Sequence, residues 1–174
     1  MSLGVEWALH SCLSLAMAGA HPPADATDTA TAPGGRPVTT RRLADLHGLA
    51  PASLNKTLQL LVRAGVIRSV PGPGGGVALT RHPAEISFLD IVQAVEGVPG
   101  AFRYTELRRR GRFPADPEAC LAPCAIAATM ADAERAWRQV LDDVSLADKA
   151  AELAIRLPDV PPRTRTFLEG ATAP

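Results

Sequence analysis

Residues 36–82 read RPVTTRRLADLHGLAPASLNKTLQLLVRAGVIRSVPGPGGGVALTRH, and the rest of the chain is arranged around them. Thr39 or Thr40 stands where a side-chain oxygen caps a helix, just ahead of the apolar positions Leu43, Ala44 and Leu46. His47-Gly48 breaks that pattern, and the turn Gly48-Leu49-Ala50 leads into a second helix. Pro51 falls in its first turn, where a missing N–H is tolerated, and Leu54, Leu58, Leu61 and Val62 form an inward stripe up to Gly65. Ala52, Ser53, Asn55, Lys56 and Gln59 are left facing outward. Val66 to Val70 then alternate as a strand, PGPGGG supplies a turn, and Val77 to Thr80 return. Two short helices, a tight turn and a glycine-rich hairpin predict a winged helix-turn-helix, in a chain that is mainly α with one β-hairpin wing.

Charge separates this stretch from the remainder. It holds seven Lys or Arg (Arg36, Arg41, Arg42, Lys56, Arg63, Arg68 and Arg81) against Asp45 alone, while the whole 174-residue chain balances 18 cations with 18 acids. A basic face on such a module is suited to phosphates, because neutralising them releases condensed counterions. The second helix of the motif ordinarily enters the major groove, so Ser53 and Asn55 are candidates for base edges. Arg41, Lys56 and Arg63 are candidates for phosphate contacts. Gly74 and Gly75 at the wing tip allow close backbone approach, although an idle tip has the same composition.

Outside the motif, residues 3–19 pattern as a helix buried on a broad face and closed by Gly19. Within it Glu6 and His10 lie four apart, on one face and one turn from each other, and the plain reading is a surface pair. Cys12 points elsewhere and reads as a small buried hydrophobe. Residues 20–37, with four prolines and a Gly-Gly pair, read as a flexible surface loop in which His21 is solvated. EISFLDIVQAVEG, residues 85–97, predicts a helix packed beneath the reading head through Ile86, Leu89, Val92 and Val95. Periodicity is lost from 98 to 119, and RRRGR at 108–112 reads as a solvated loop, with contact to DNA as the secondary reading. From Ile126 the apolar positions Met130, Ala133, Trp137, Val140 and Val144 step by four and three, a heptad-like seam that calls for a partner. A homodimer is the expected one, since symmetric DNA sites suit two-fold proteins; packing on the chain's own first helix is the alternative. Ser145 is placed to cap a last short helix, and Pro158, Pro161 and Pro162 are read as opening a disordered tail.

No apolar run reaches the roughly 20 residues of a membrane span. Glu6 in the first helix and the lack of a small-residue cleavage site argue against a secretory signal, so a cytoplasmic location is expected. Three cysteines do not suggest a disulfide framework.

The VPGPGGGVALTR wing, the LDIVQAVEG helix and the SLADK after the long helix resemble the bacterial winged-helix iron-sulfur regulators of the IscR and NsrR type, over residues 3–155. That family typically uses three cysteines and one ligand from the partner's first helix. Here the first of those cysteines falls near Arg103-Tyr104, neither of them a thiol. GVEWALH at the N-terminus is similar to the redox-sensing actinobacterial members, whose 2Fe-2S cluster takes a Glu and a His from one subunit and two cysteines from the other. The resemblance thus implies Glu6 and His10 of one chain with Cys120 and Cys124 of its mate as ligands, and Trp7 as a redox relay, with core packing an equal alternative for Trp7. Carboxylate and imidazole ligands raise a cluster's potential relative to four thiolates.

The function implied is a dimeric, redox-sensing transcriptional repressor that binds a palindromic operator, and not an enzyme. Its rival is a cluster-free regulator in which Cys120 and Cys124 sense oxidants as a thiol pair. A zinc deaminase has His-x-Glu ahead of Pro-Cys-x-x-Cys, which the order and spacing here do not match. The expected organisation is a winged domain over 1–97, a cluster-binding loop over 98–123, a dimerisation helix and short following helix over 124–157, and a flexible tail over 158–174.

Overall fold

The computed structural model describes residues 2–20, 35–97, 102, 104–110, 112–122 and 124–170. Most of the 20–37 loop, His21 and Arg103 lie outside the described residues. The chain is mainly α with one two-stranded antiparallel sheet. Two compact units are present: residues 1–97 with 142–174, and residues 98–141. The short helix after the long one falls in the first of these units.

In the first unit α1 (Leu3–Met17), α2 (Thr40–His47) and α3 (Pro51–Arg63) all end on glycine. Gly19, Gly48 and Gly65 take φ values of 71°, 65° and 72°, a left-handed turn that costs a side-chain-bearing residue about 1 kcal/mol. At each end the next residue's N–H doubles back to a carbonyl of the last turn: Ala20 to Leu15, Leu49 to Ala44 and Val66 to Leu61, at 2.9–3.0 Å. Thr39 caps α2 by accepting the Arg42 N–H at 3.3 Å, whereas α3 starts on Ala50, whose side chain caps nothing.

The inward stripe of α3 is Leu54, Leu58 and Leu61, as predicted, but Val62 is 37% exposed and Thr57 takes the inward place. The wing is β1 (Ile67–Val70) with β2 (Gly76–Leu79), in the register Ile67 opposite Leu79. The outer edge of β2 is covered, since Val38 exchanges both backbone hydrogen bonds with Val77 and Leu79 N–H donates to Ala20.

The helix expected from Glu85 starts later. Pro83–Glu85 form one 3₁₀ turn, and α4 runs Phe88–Glu96 behind a Ser87/Asp90 capping box. Ile86 is fully buried because it bridges to Leu146, whose N–H donates to its carbonyl at 3.0 Å. Beside it α6 (Leu146–Arg156) opens with the predicted Ser145 cap, completed by Asp148 into a second capping box. Val144, assigned to the helical seam, lies before this cap and accepts the Phe88 N–H.

The predicted tail is instead α7, Val160–Glu169, with Pro161 and Pro162 in its first turn, where proline fits. Leu168 and Thr164 are buried, and the helix packs on α1, α2 and α6. The second unit holds a loop with 3₁₀ turns at Leu107–Arg109 and Glu118–Cys120, followed by α5, Ala125–Asp142. On α5 the seam residues Ile126 and Val140 are 66% and 64% exposed. Among the described residues no helix is long and apolar enough to cross a membrane.

If α7 is an integral part of the fold, Leu168→Ala should lower unfolding free energy by about 2–4 kcal/mol. Urea denaturation of wild type and variant measures this; a disordered tail would give no change.

Candidate functional site

The turn at Gly48 sets α3 after α2, and Ser53, Asn55, Lys56, Gln59 and Arg63 are all exposed along it. Asn55, Gln59 and Arg63 line a cleft of about 460 Å³ shared with Ser69 and Val70 of the wing. Arg41 is exposed on α2. The two wing glycines differ. Gly74 is open, but Gly75 is buried in the turn, its N–H donates to Gly72 O at 2.9 Å, and an added Cβ would lie 2.1 Å from Val70 O.

Part of the basic excess is already engaged within the protein. Arg42 donates to the Phe167 and Leu168 carbonyls at 3.2 and 3.1 Å, at the C-terminal end of α7 where a cation is favoured. Arg36 reaches the Glu169 carbonyl, and Arg81 pairs with Asp90 at 3.0 Å.

On α1, Glu6 and His10 are both exposed. His10 meets His47 edge-on, with ring centroids 5.9 Å apart, and His47 Nε2 lies 3.3 Å from Ser14 Oγ. Burial, and after it the charge of His10, depress the pKa of His47 below the usual imidazole value. Glu6, Trp7, His10, His47 and Leu49 line one small cavity of about 260 Å³. Trp7 is half-buried and packs against the core, so it is at once a core residue and a neighbour of both ligand candidates. His47 was read in the sequence only as part of a helix break; no periodicity marks a residue that matters by its contact with another helix.

Cys12 is fully buried and burial pushes its thiol up to about 12. Cys120 and Cys124, in the second unit, are half-buried. Cys124 stands one residue before α5, and the N–H groups of Ala127 and Ile126 donate to its sulfur, lowering the thiol pKa. A thiol with such a tendency to ionise suits a soft metal group, so this donor fits the cluster that the resemblance implies. Among the described residues no three His, Cys, Asp or Glu side chains of one chain converge as a metal cage. Sequence reading also missed Tyr104 and Arg108. The Tyr104 hydroxyl hydrogen-bonds Cys124 and the Glu106 carboxylate, and its own pKa rises to about 12 through burial and these two partners.

The family model Rrf2, described as an iron-dependent transcriptional regulator, matches residues 1–152. A putative HTH-type transcriptional regulator, YffB of Lactococcus lactis subsp. lactis (strain IL1403), is 32% identical over 120 residues, 69% of this chain and 76% of that one. Among solved structures, IscR of T. potens superposes with a TM-score of 0.62 at 19% identity, covering 90% of each chain. CymR of B. subtilis, described as the global cysteine regulator, gives 0.60 at 21% identity, covering 87% of this chain and 96% of that one. At these identities the two structures speak to the fold.

The contrast among the thiols is directly measurable. Ellman's reagent on the reduced, metal-free native chain should modify Cys120 and Cys124 rapidly and Cys12 only after denaturation. Fast modification of Cys12 in the native chain would contradict its burial.

Proposed function

We propose that this chain, which belongs to the Rrf2 family of transcriptional regulators, is a dimeric redox-sensing repressor whose DNA affinity is governed by a shared 2Fe-2S cluster. Glu6 and His10 of one subunit and Cys120 and Cys124 of the other would hold it, as in the redox-sensing members that GVEWALH resembles. When bound, such a group supplies reversible one-electron chemistry at a potential tuned by its ligands.

The observation that carries the reading is the contact of His10 with His47. His47 is the last residue of α2, immediately before the Gly48 turn that sets α3. A change in charge or orientation at His10 is felt first by a half-buried imidazole whose protonation is already disfavoured. Trp7, in the same cavity, transmits the change through packing. Switching of this kind needs a local event biasing an element with two arrangements, and the turn between α2 and α3 is the element closest to hand. The uncovered seam of α5 supports the dimer, since apolar side chains on one helix face are stabilised by a mate.

On the DNA side, Asn55 and Ser53 read base edges while Arg41, Lys56 and Arg63 neutralise phosphates. Lys56→Ala and Arg63→Ala should each reduce the slope of log affinity against log salt by about 1, whereas Arg42→Ala, whose guanidinium is committed to α7, should leave it unchanged. Filter binding over a salt series tests all three.

Anaerobically purified protein should carry about two irons and two sulfides per cluster, bleach reversibly with dithionite, and lose or alter that spectrum in His10→Ala. His47→Gln should keep the iron and shrink the difference in DNA affinity between redox states, which is about 5-fold or more where coupling is of ordinary size. A colourless, iron-free protein with wild-type redox response would transfer the sensing role to the Cys120/Cys124 thiol pair.

A further inference from the structure

The second unit has no buried side chain among its described residues, and no apolar core orders the segment that carries the two thiols. Polar contacts centred on Arg108 connect its described residues instead. The guanidinium grips both oxygens of Glu106 along one edge, Nε donating to Oε1 at 2.7 Å and Nη2 to Oε2 at 2.8 Å. From the same plane Nη1 donates to the Ala119 carbonyl at 3.1 Å and Nη2 to the Ala122 carbonyl at 2.8 Å. Ala119 immediately precedes Cys120, and Ala122 lies two residues before Cys124. The Arg108 carbonyl in turn accepts the Ala115 N–H at 2.8 Å, closing the intervening loop.

We propose that Arg108 is the positioning residue of the cysteine loop, tying both sides of the Cys120 turn to one anchored point so that the two thiols keep a fixed separation for a soft, thiophilic ligand.

Two further features fit. Glu106 is the one side-chain-bearing residue among those described with a positive φ, 51°, a conformation that needs sustaining contacts. The guanidinium beside it holds its carboxyl down at about 2, so the anchor stays charged. A planar guanidinium can meet a carboxylate with two parallel N–H donors along one edge and still reach two carbonyls; an ammonium has neither the geometry nor the donors. Holding donors in place before binding removes the ordering cost from the binding step.

The inference rests on the reading of Cys120 and Cys124 as a working pair, and it holds whether they meet iron or another thiophile. Phenylarsine oxide tests it on the reduced, metal-free full-length chain. This probe bridges two thiols, forming two As–S bonds with loss of its oxygen as one water. Cys12 is buried and does not compete. Wild type should bind one equivalent tightly, Arg108→Gln about tenfold more weakly, and Arg108→Lys should fail to restore the affinity. Cys120→Ser separates the two readings. Loss of tight binding in Cys120→Ser with wild-type affinity in Arg108→Gln overturns the positioning role alone. Unchanged affinity in Cys120→Ser overturns the pairing beneath it. If Arg108→Gln gives little folded chain, Glu106→Gln removes the same anchor and should weaken binding in the same direction; wild-type affinity there overturns the proposal.

Discussion

The first unit depends on the burial of α1. Val5, Ala8, Cys12 and Leu15 are 0–3% exposed, and the helix packs against α3, α4, α6, α7 and β2. A fully buried leucine or valine contributes about 1.5–3 kcal/mol, so a helix enclosed on so many sides fixes its neighbours as firmly as they fix it. The consequence for chemistry is geometric. With most of the circumference committed to the core, the strip that remains bears Glu6 and His10, one turn apart and rigidly presented. The same helix thus supports the reading head from below and carries the ligand candidates on its open side.

Local signals made the reading head legible. Glycine at the three helix ends, threonine before α2 and the Pro-Gly hairpin each act within a few residues, and all appear where the sequence places them. Ser145 before α6 belongs to the same class. The errors share a different cause. Ile86 looked like the first rung of a helical stripe, but it is buried through a backbone bridge to a segment 60 residues away. Three prolines suggested a tail after Leu157, while two of them fit a first helical turn and Leu168 is buried on a helix that packs on α1, α2 and α6. Long-range docking leaves no periodic trace in the segment that docks.

The candidate site divides along the same line. Cys12 announced its burial through the helix phase of its neighbours, and Cys124 gains its ionising tendency from the helix that begins after it. Arg108 was hidden in RRRGR, where composition alone makes three adjacent arginines equivalent. Only the fold distinguishes the one that faces Glu106. The two units accordingly keep their order by different means: one excludes water from aliphatic side chains, and the other connects charges and carbonyls around a single guanidinium.

The seat of α7 has an evolutionary side. Its last carbonyls occupy Arg42 on the first helix of the DNA-reading motif, and its residues lie past position 152, where the family match ends. Because those acceptors are backbone carbonyls, side chains of the final turn can change along a lineage while the arginine stays held, provided that Leu168 keeps the helix seated.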